Sequence, residues 1–360
     1  MMSETHGEFL TLHELVKAAR VKLDDNIWDY LIGGTETETT LRRNRLALDS
    51  LAFRPRVLRD VSKVDCSHRF FGKPLRLPVA LAPVGSLQSF EAGAGASVAK
   101  AAAEFGVPFF LSSVTEPGLE AAAKAAPARR IFQLYVRGDD AFVDDYVRRA
   151  IDGGYEAFCL TVDTAIYSRR ERDIAKRFAM AWRSGVAGQE YQEGLNWSHV
   201  KRIKEKFDVP LILKGIATAE DAAMACEHGV AGIYLSNHGG RQLDHGRGAI
   251  EILPEIVAAV AGRAEIIIDG SFCRGTDIIK AITLGADLVG IGRLYLYGLA
   301  AAGAAGIVRV LELLEAEIHE SLGLLGVDGF AKLDKSYLHP AAPVTKPHVH
   351  SAFPLMEEGY

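Results

Sequence analysis

The stretch Pro210–Gly240, "PLILKGIATAEDAAMACEHGVAGIYLSNHGG", reads as strand, helix and strand. Pro210–Ile216 is a short apolar run interrupted only by Lys214 and Gly215. Ala219–His228 is rich in alanine and acidic residues. Gly232–His238 is a second apolar run that turns polar at Ser236, Asn237 and His238. Apolar runs that do not alternate with polar residues suit strands buried on both faces, and a helix between two such runs makes the crossover of a parallel sheet.

The same unit recurs on either side. Further strand-like runs are expected at Leu77–Val84, Pro108–Val114, Ile131–Val136, Ala157–Asp163, Glu265–Gly270 and Leu288–Arg293. Helical stretches are expected between them at Gly93–Phe105, Leu119–Ala125, Ala141–Gly153 and Thr276–Leu284. Eight such units close a (β/α)8 barrel of about 250 residues. The competing doubly wound sheet carries a G-x-G-x-x-G turn after its first strand, and "APVGSLQSFEAG" does not match it. The expected fold is therefore α/β, a (β/α)8 TIM barrel over 77–325, within one domain spanning 1–360.

An N-terminal helical segment (1–76) precedes the barrel. Its expected helices are Thr11–Arg20, with Thr11 and Glu14 in capping-box spacing, Asn26–Ile32, ended by Gly33-Gly34, and Thr39–Leu48. The interval from Asp163 to Pro210 exceeds every other strand-to-strand spacing. It holds a lid loop after strand 4, Ala179–Leu195. Leu311–Leu325 reads as an amphipathic helix, and the tail 326–360 is Pro- and His-rich beyond His339 and expected to be extended.

Composition narrows the function. The 360 residues are 49% hydrophobic and 24% charged, enough for a sizeable core without disulfide or metal. A net charge of −5 gives no basic field for nucleic acid. The four cysteines, Cys66, Cys159, Cys226 and Cys273, show neither a CxxC pair nor metal-ligand spacing, so they read as reduced thiols, Cys159 as a small core residue. The first residues carry no signal-like apolar run, and no stretch has 18 uninterrupted apolar residues; the expected location is the cytoplasm.

In a barrel, chemistry sits at the C-terminal ends of the strands. Those ends offer Pro83, Val84 and Gly85; Ser112; Gln133 and Tyr135; Thr161 and Asp163; Lys214; Ser236 and His238; Asp269, Gly270 and Ser271; and Gly292 and Arg293. Each polar residue alone passes for turn chemistry, but a ring containing Lys, His, Asp and Tyr is much less often accidental. His238, followed by two glycines and Arg241, is a candidate general base, with Asp163 to orient it. Arg241 and Arg170 together suit a carboxylate. Gly270, Arg274 and Gly275 before one helix, and Gly292 and Arg293 before the next, suit a phosphate. Lys214 fits either stabilisation of negative charge or a Schiff base.

These residues carry a resemblance. "DYLIGG", "FQLYV", "LTVDT", "RRERD", "LKG", "SNHGGRQLD" and "IGR" resemble the FMN-dependent L-2-hydroxy acid oxidase and dehydrogenase family, which includes glycolate oxidase, lactate oxidase, mandelate dehydrogenase and the flavin domain of flavocytochrome b2. The resemblance runs from about Leu12 to His339. It implies FMN as cofactor, a small 2-hydroxy acid as substrate, O2 or a soluble or quinone carrier as electron acceptor, and a homo-oligomer, tetramer or octamer. It implies His238 as base, Asp163 as its partner, and Arg170, Arg241, Tyr30 and Tyr135 as substrate-binding groups. Gly85, Ser112, Gln133, Thr161 and Ser236 would line the flavin ring and Lys214 would face it. Asp269 would bind ribityl hydroxyls, and Gly292 and Arg293 the phosphate.

The sequence also departs from the family pattern. Cys273 stands where the family usually has a phosphate-binding arginine, so the expected compensation comes from Arg274 or Arg293. Val114 stands where glycolate oxidases have tryptophan, which implies room for a larger substrate. The alternatives are another FMN barrel, of the type 2 isopentenyl diphosphate isomerase kind, and an anion-binding barrel without turnover.

Overall fold

The structure is a computed structural model that describes residues 8–180 and 188–359. Eight parallel strands close a barrel: β1 (Val79–Leu81), β2 (Phe109–Ser112), β3 (Arg130–Leu134), β4 (Ala157–Thr161), β5 (Leu211–Ile216), β6 (Gly232–Leu235), β7 (Glu265–Ile268) and β8 (Leu288–Ile291), with β8 pairing back onto β1. The expected barrel is the observed one. Seven of its strands end two or three residues earlier than the apolar runs imply, while β5 ends at Ile216 as its run does. Tyr135, Asp163, His238 and Asp269 have thus left the ladder, and His238, with φ 58°, is already left-handed.

The barrel interior is filled by small and branched side chains, among them Ala80, Ile131, Ala157, Cys159, Ile212, Ile267 and Leu288, beside the fully buried rings of Phe110 and Tyr234. Cys159 is the core residue its sequence context implies. A hairpin, His68–Phe70 with Lys73–Leu75, closes the N-terminal end and places Phe70 in that same cluster. Residues 1–76 are therefore not wholly helical, as expected, but end in a β plug. Burying a phenylalanine there removes apolar surface that would otherwise face water, on the order of 2 kcal/mol.

The three N-terminal helices appear as α1 (Leu12–Lys22), α2 (Asp25–Ile32) and α3 (Thr39–Asp49). Thr11 and Glu14 form the capping box, and α2 stops at Gly33. The C-terminal helix is longer than expected. It runs Arg293–Leu325 with a break at Ala302–Gly303, where Gly303 takes φ 61°. Its most apolar window is 78% buried, so its hydropathy is that of a core helix packed on α1. The tail is not free. Leu338–Pro340 pairs with Leu51–Phe53, the His350 ring lies 5.5 Å from that of Trp28, and Phe353 is buried. Of the expected lid, residues 181–187 lie outside the described residues. Gly188–Leu195 folds over the ends of β3 and β4, where Gln192 accepts from Val136 N (2.7 Å) and donates to the Thr161 carbonyl (3.0 Å).

Candidate active site

One cavity of about 1150 Å³, including its open mouth, sits at the C-terminal end of the strands. Tyr30, Pro83, Val84, Gly85, Tyr135, Arg170, Lys214, His238, Arg241, Asp269, Gly270, Ser271, Gly292 and Arg293 all line it, as the sequence implied. Ser112, Gln133, Thr161 and Ser236 lie in the buried layer at the strand ends, outside that lining.

His238 is fixed by three consecutive left-handed residues, with Gly239 at φ 63° and Gly240 at φ 75°. A left-handed histidine costs on the order of 1–3 kcal/mol, which its surroundings must offset. They do so with hydrogen bonds. The His238 backbone N–H donates to Ser236 Oγ (3.0 Å), and Asn237 is held by a reciprocal amide pair with Asn44 of α3 (2.7 and 3.0 Å). Farther along, Asp244 accepts from Thr37 and Thr40 at the start of α3. The last residue of "SNHGGRQLD" is thus a helix cap, a role the motif does not reveal.

The imidazole bridges two partners. Nδ1 lies 3.1 Å from both carboxylate oxygens of Asp163, and Nε2 lies 3.1 Å from the Tyr135 hydroxyl. Asp163 reaches this position because Gly215, at φ +109°, leaves it room; a Cβ there would come within 2.5 Å of the Asp163 Cβ. The same glycine is a bulge in the β5–β6 pairing, beside Lys214. Burial lowers the His238 pKa from its ordinary 6.5; Asp163 opposes this, and Lys214 and Arg170 add to it. Burial would raise the Asp163 carboxyl, but His238 and Lys214 outweigh it and hold it low. Burial also raises Tyr135, so its hydroxyl keeps its proton. At neutral pH the site holds a neutral imidazole, a carboxylate on Nδ1–H, and a phenol donating to Nε2.

Two buried arginines converge beside it. The Tyr30 ring lies 4.7 Å from the Arg241 guanidinium carbon and 5.8 Å from that of Arg170. Arg241 Nη1 donates to the carbonyls of Tyr30 (2.6 Å) and Gly33 (2.7 Å), satisfying the C-terminal end of α2. Its Nη2, with Nε and Nη1 of Arg170, is buried without a hydrogen-bond acceptor among the described residues. Burial and then Arg170 push the Arg241 pKa down. Such a pair gains most from an anion that accepts from both forks.

Lys214 Nζ donates to Ser236 Oγ (3.0 Å) and lies 3.7 Å from Asp269 Oδ2, while Ser236 donates to Asp269 Oδ1 (2.6 Å). This triad points a cation into the cavity from β5. At the β7–β8 end the two expected arginines part. Arg274 does not line the cavity; its guanidinium pairs with Glu317, 2.6 Å away. The backbone N–H groups of Cys273 and Arg274 donate to Asp277, and that of Gly275 to Glu317. Asp277 is in turn paired with the buried Arg45. The helix that begins at Gly275 therefore has its start occupied by the protein's carboxylates, Asp277 of its own first turn and Glu317 of the C-terminal helix. Cys273 does face the cavity, with its thiol pushed up to about 12 by burial, and supplies no charge. Arg293 remains. It starts the helix after β8, next to Gly292, where a Cβ would meet nothing within 4 Å. Arg293 donates to the carbonyls of Leu31, Gly33 and Gly239, which leaves part of its fork for an anion.

The cradle fits FMN. Gln133 Oε1 and Ser271 Oγ are buried without a hydrogen-bond partner among the described residues, acceptor and hydroxyl suited to a ring N–H and to polar chain atoms. The open backbone at Gly292, the helix N-terminus behind it and Arg293 suit a phosphate. Sequence reasoning missed Arg137, Tyr167, Gln189 and Gln192, which also line the cavity. Arg137 and Tyr167 adjoin motifs already singled out, but nothing in their own context signals the cavity.

A closed barrel with this mouth fits a flavin-dependent oxidoreductase of the α/β class. Residues 19–340 match the model of the FMN-dependent dehydrogenase family. The chain is 37% identical to an L-lactate oxidase of Nostoc sp., over 92% of this chain and 98% of the relative, and 39% identical to a 4-hydroxymandelate oxidase of Amycolatopsis orientalis, over 89% and 95%. Its fold superposes on mandelate oxidase with benzoyl-formic acid at a TM-score of 0.85 and 39% identity, covering 94% of this chain and all of the other. The chain belongs to the FMN-dependent dehydrogenase family, its cofactor is FMN, and its activity is that of an oxidoreductase in the 2-hydroxy acid oxidase group.

Proposed function

We propose that this enzyme oxidises an L-2-hydroxy acid larger than glycolate to the 2-keto acid, with O2 as the final acceptor. The observation that carries the reading is the line Tyr135–His238–Asp163 facing two buried arginines with unsatisfied N–H groups in one cavity. The forks of Arg170 and Arg241 bind the substrate carboxylate and fix the carbon that bears the hydroxyl. His238 Nε2 takes a proton from the substrate, and Asp163, on Nδ1–H, stabilises the imidazolium that results. Tyr135 hydrogen-bonds a substrate oxygen while remaining protonated. FMN, when bound, supplies the two-electron acceptor. Lys214, held by Ser236 and Asp269 at the cavity wall, would stabilise the negative charge of the reduced ring. Val114 in the lining supports a substrate bulkier than glycolate. The paired arginines and the histidine favour a carboxylate over a diphosphate, against an isomerase reading.

The test is a spectrum of the purified protein followed by anaerobic addition of L-lactate, L-mandelate or longer L-2-hydroxy acids. Flavin absorbance that bleaches with the L but not the D acid is expected. A flavin-loaded protein that no 2-hydroxy acid bleaches refutes the reading.

A further inference from the structure

Tyr135 and Asp163 reach His238 from neighbouring strands, yet both stand past the end of the sheet. The β3–β4 ladder closes at Leu134 opposite Leu160. Tyr135 directly follows β3, and Asp163 is the second residue after β4. One backbone bond of each goes to a third element: Tyr135 N donates to Ser113 Oγ (3.1 Å), and the Asp163 carbonyl accepts from Gln242 Nε2 (2.9 Å). Neither bond fixes the distance between the two chains, although His238 needs both residues at once, each 3.1 Å away.

The segment that folds over these strand ends supplies the link. Its short helix, Gln189–Glu193, carries the buried Gln192. One planar carboxamide accepts from Val136 N (2.7 Å) on the β3 side and donates to the Thr161 carbonyl (3.0 Å) on the β4 side. Gln189 Nε2 donates to the Ala165 carbonyl (2.7 Å), and Gly188, at φ 98°, packs so closely that a Cβ would come within 2.3 Å of the Arg137 carbonyl oxygen. The backbone is thus held directly after Tyr135 and on both sides of Asp163. A rigid amide bonded to both chains sets their separation, as one more rung of the ladder would.

We propose that Gln192 is a positioning residue for the reaction: it spaces Tyr135 and Asp163 so that both meet His238, and thereby aims Nε2 at the substrate. The inference rests on the reading above of that line as the proton-transfer group. Both ends of the Gln192 carboxamide are engaged by backbone, so it acts through Tyr135 and Asp163 and not on the substrate itself. The Arg241 half of the carboxylate clamp is anchored on α2, not on these two chains. Loss of Gln192 therefore falls mainly on the chemical step and little on substrate binding.

The experiment measures anaerobic bleaching of the flavin by the best L-2-hydroxy acid, over a range of concentrations and pH, in wild type, Gln192→Met and Gln192→Glu. Gln192→Met keeps the side-chain length and loses both bonds. Its limiting rate should fall by roughly 10- to 100-fold, up to the cost of a misplacement of about 1 Å, with the half-saturating concentration within about twofold of wild type. In Gln192→Glu the protonated carboxyl can accept from Val136 N–H and donate to the Thr161 carbonyl as the amide does; ionised, it has no proton to donate. Burial raises the pKa of that carboxyl, so its rate relative to wild type at the same pH should be near one in acid and fall toward that of Gln192→Met as pH rises. A side chain that only docked the segment would lower Tm and leave this ratio level. A Gln192→Met enzyme that holds FMN and bleaches at the wild-type limiting rate overturns the inference. So does a Gln192→Glu ratio that stays flat with pH, which decides the matter even if Gln192→Met does not fold. Failure of every 2-hydroxy acid to bleach the wild-type flavin would instead refute the underlying reading of the site, and the inference with it.

Discussion

At the β3–β6 end of the cavity, His238 is held between Asp163 and Tyr135, and Arg241 is anchored on the end of α2. At the β7–β8 end, two similar sequences diverge. Gly292-Arg293 opens into the cavity, while Arg274-Gly275 turns outward to Glu317. The difference lies in what each helix start must satisfy. The helix at Gly275 has Asp277 and Glu317 to accept its free N–H groups, so it has no need of a ligand anion; the helix at Arg293 has no side-chain cap. An arginine and a glycine before a helix thus leave N–H groups open to an anion only where the protein leaves the first turn uncapped.

The largest effect should come from the first end. His238→Ala is expected to slow bleaching of the flavin by substrate by more than about 100-fold, the scale of a positioned general base, with FMN content unchanged. An unchanged rate would remove His238 from the mechanism. The pH dependence sharpens this. The base works unprotonated, and burial lowers its pKa, so kcat/KM for the free enzyme should rise with pH through a value below 6.5 and then level. An acid limb above 6.5 would mean that Asp163 dominates burial.

The second end should show in affinity for the cofactor. Arg293→Ala is expected to weaken FMN binding by roughly 10- to 100-fold, read by fluorescence of released flavin, with Arg293→Lys in between. Riboflavin, lacking the phosphate, should bind wild type and Arg293→Ala alike. Equal loss for both ligands would assign Arg293 to bracing Leu31 and Gly239 and leave the phosphate elsewhere.

The two ends were not equally legible. Apolar runs with polar ends located all eight strands, because a strand buried on both faces has little choice of composition. The same logic placed His238, Asp163, Lys214 and Arg241, because each stands at or just past a strand end and a barrel gathers all eight ends at one mouth. Arg274 was misplaced because its partner, Glu317, lies more than forty residues away on the C-terminal helix, and sequence spacing says nothing of such a pair. Asn44 and Arg45 were invisible for the same reason: they lie on α3, far from the loops after β6 and β7 that they brace. The tail looked extended from its prolines and histidines, yet Val349 and Phe353 give it two buried apolar anchors.

The smallest predicted effect tests that correction most directly. Arg274→Ala should leave the FMN dissociation constant within about twofold of wild type, since charge beyond the cavity wall, already paired, forms no charge-assisted bond to the phosphate. Its cost should appear in stability alone. The Arg274–Glu317 pair is partly exposed, at 31% and 24% for the two side chains, so its loss is about 0.5 kcal/mol, or under about 1 °C in Tm for a chain of 360 residues. Glu317 keeps its hydrogen bond from Gly275 N, so the helix start stays capped. If Arg274→Ala instead loosens FMN as much as Arg293→Ala, the phosphate lies at the helix that begins at Gly275. Asp277 would then have to release the loop N–H groups, and the contrast between the two helix starts would collapse.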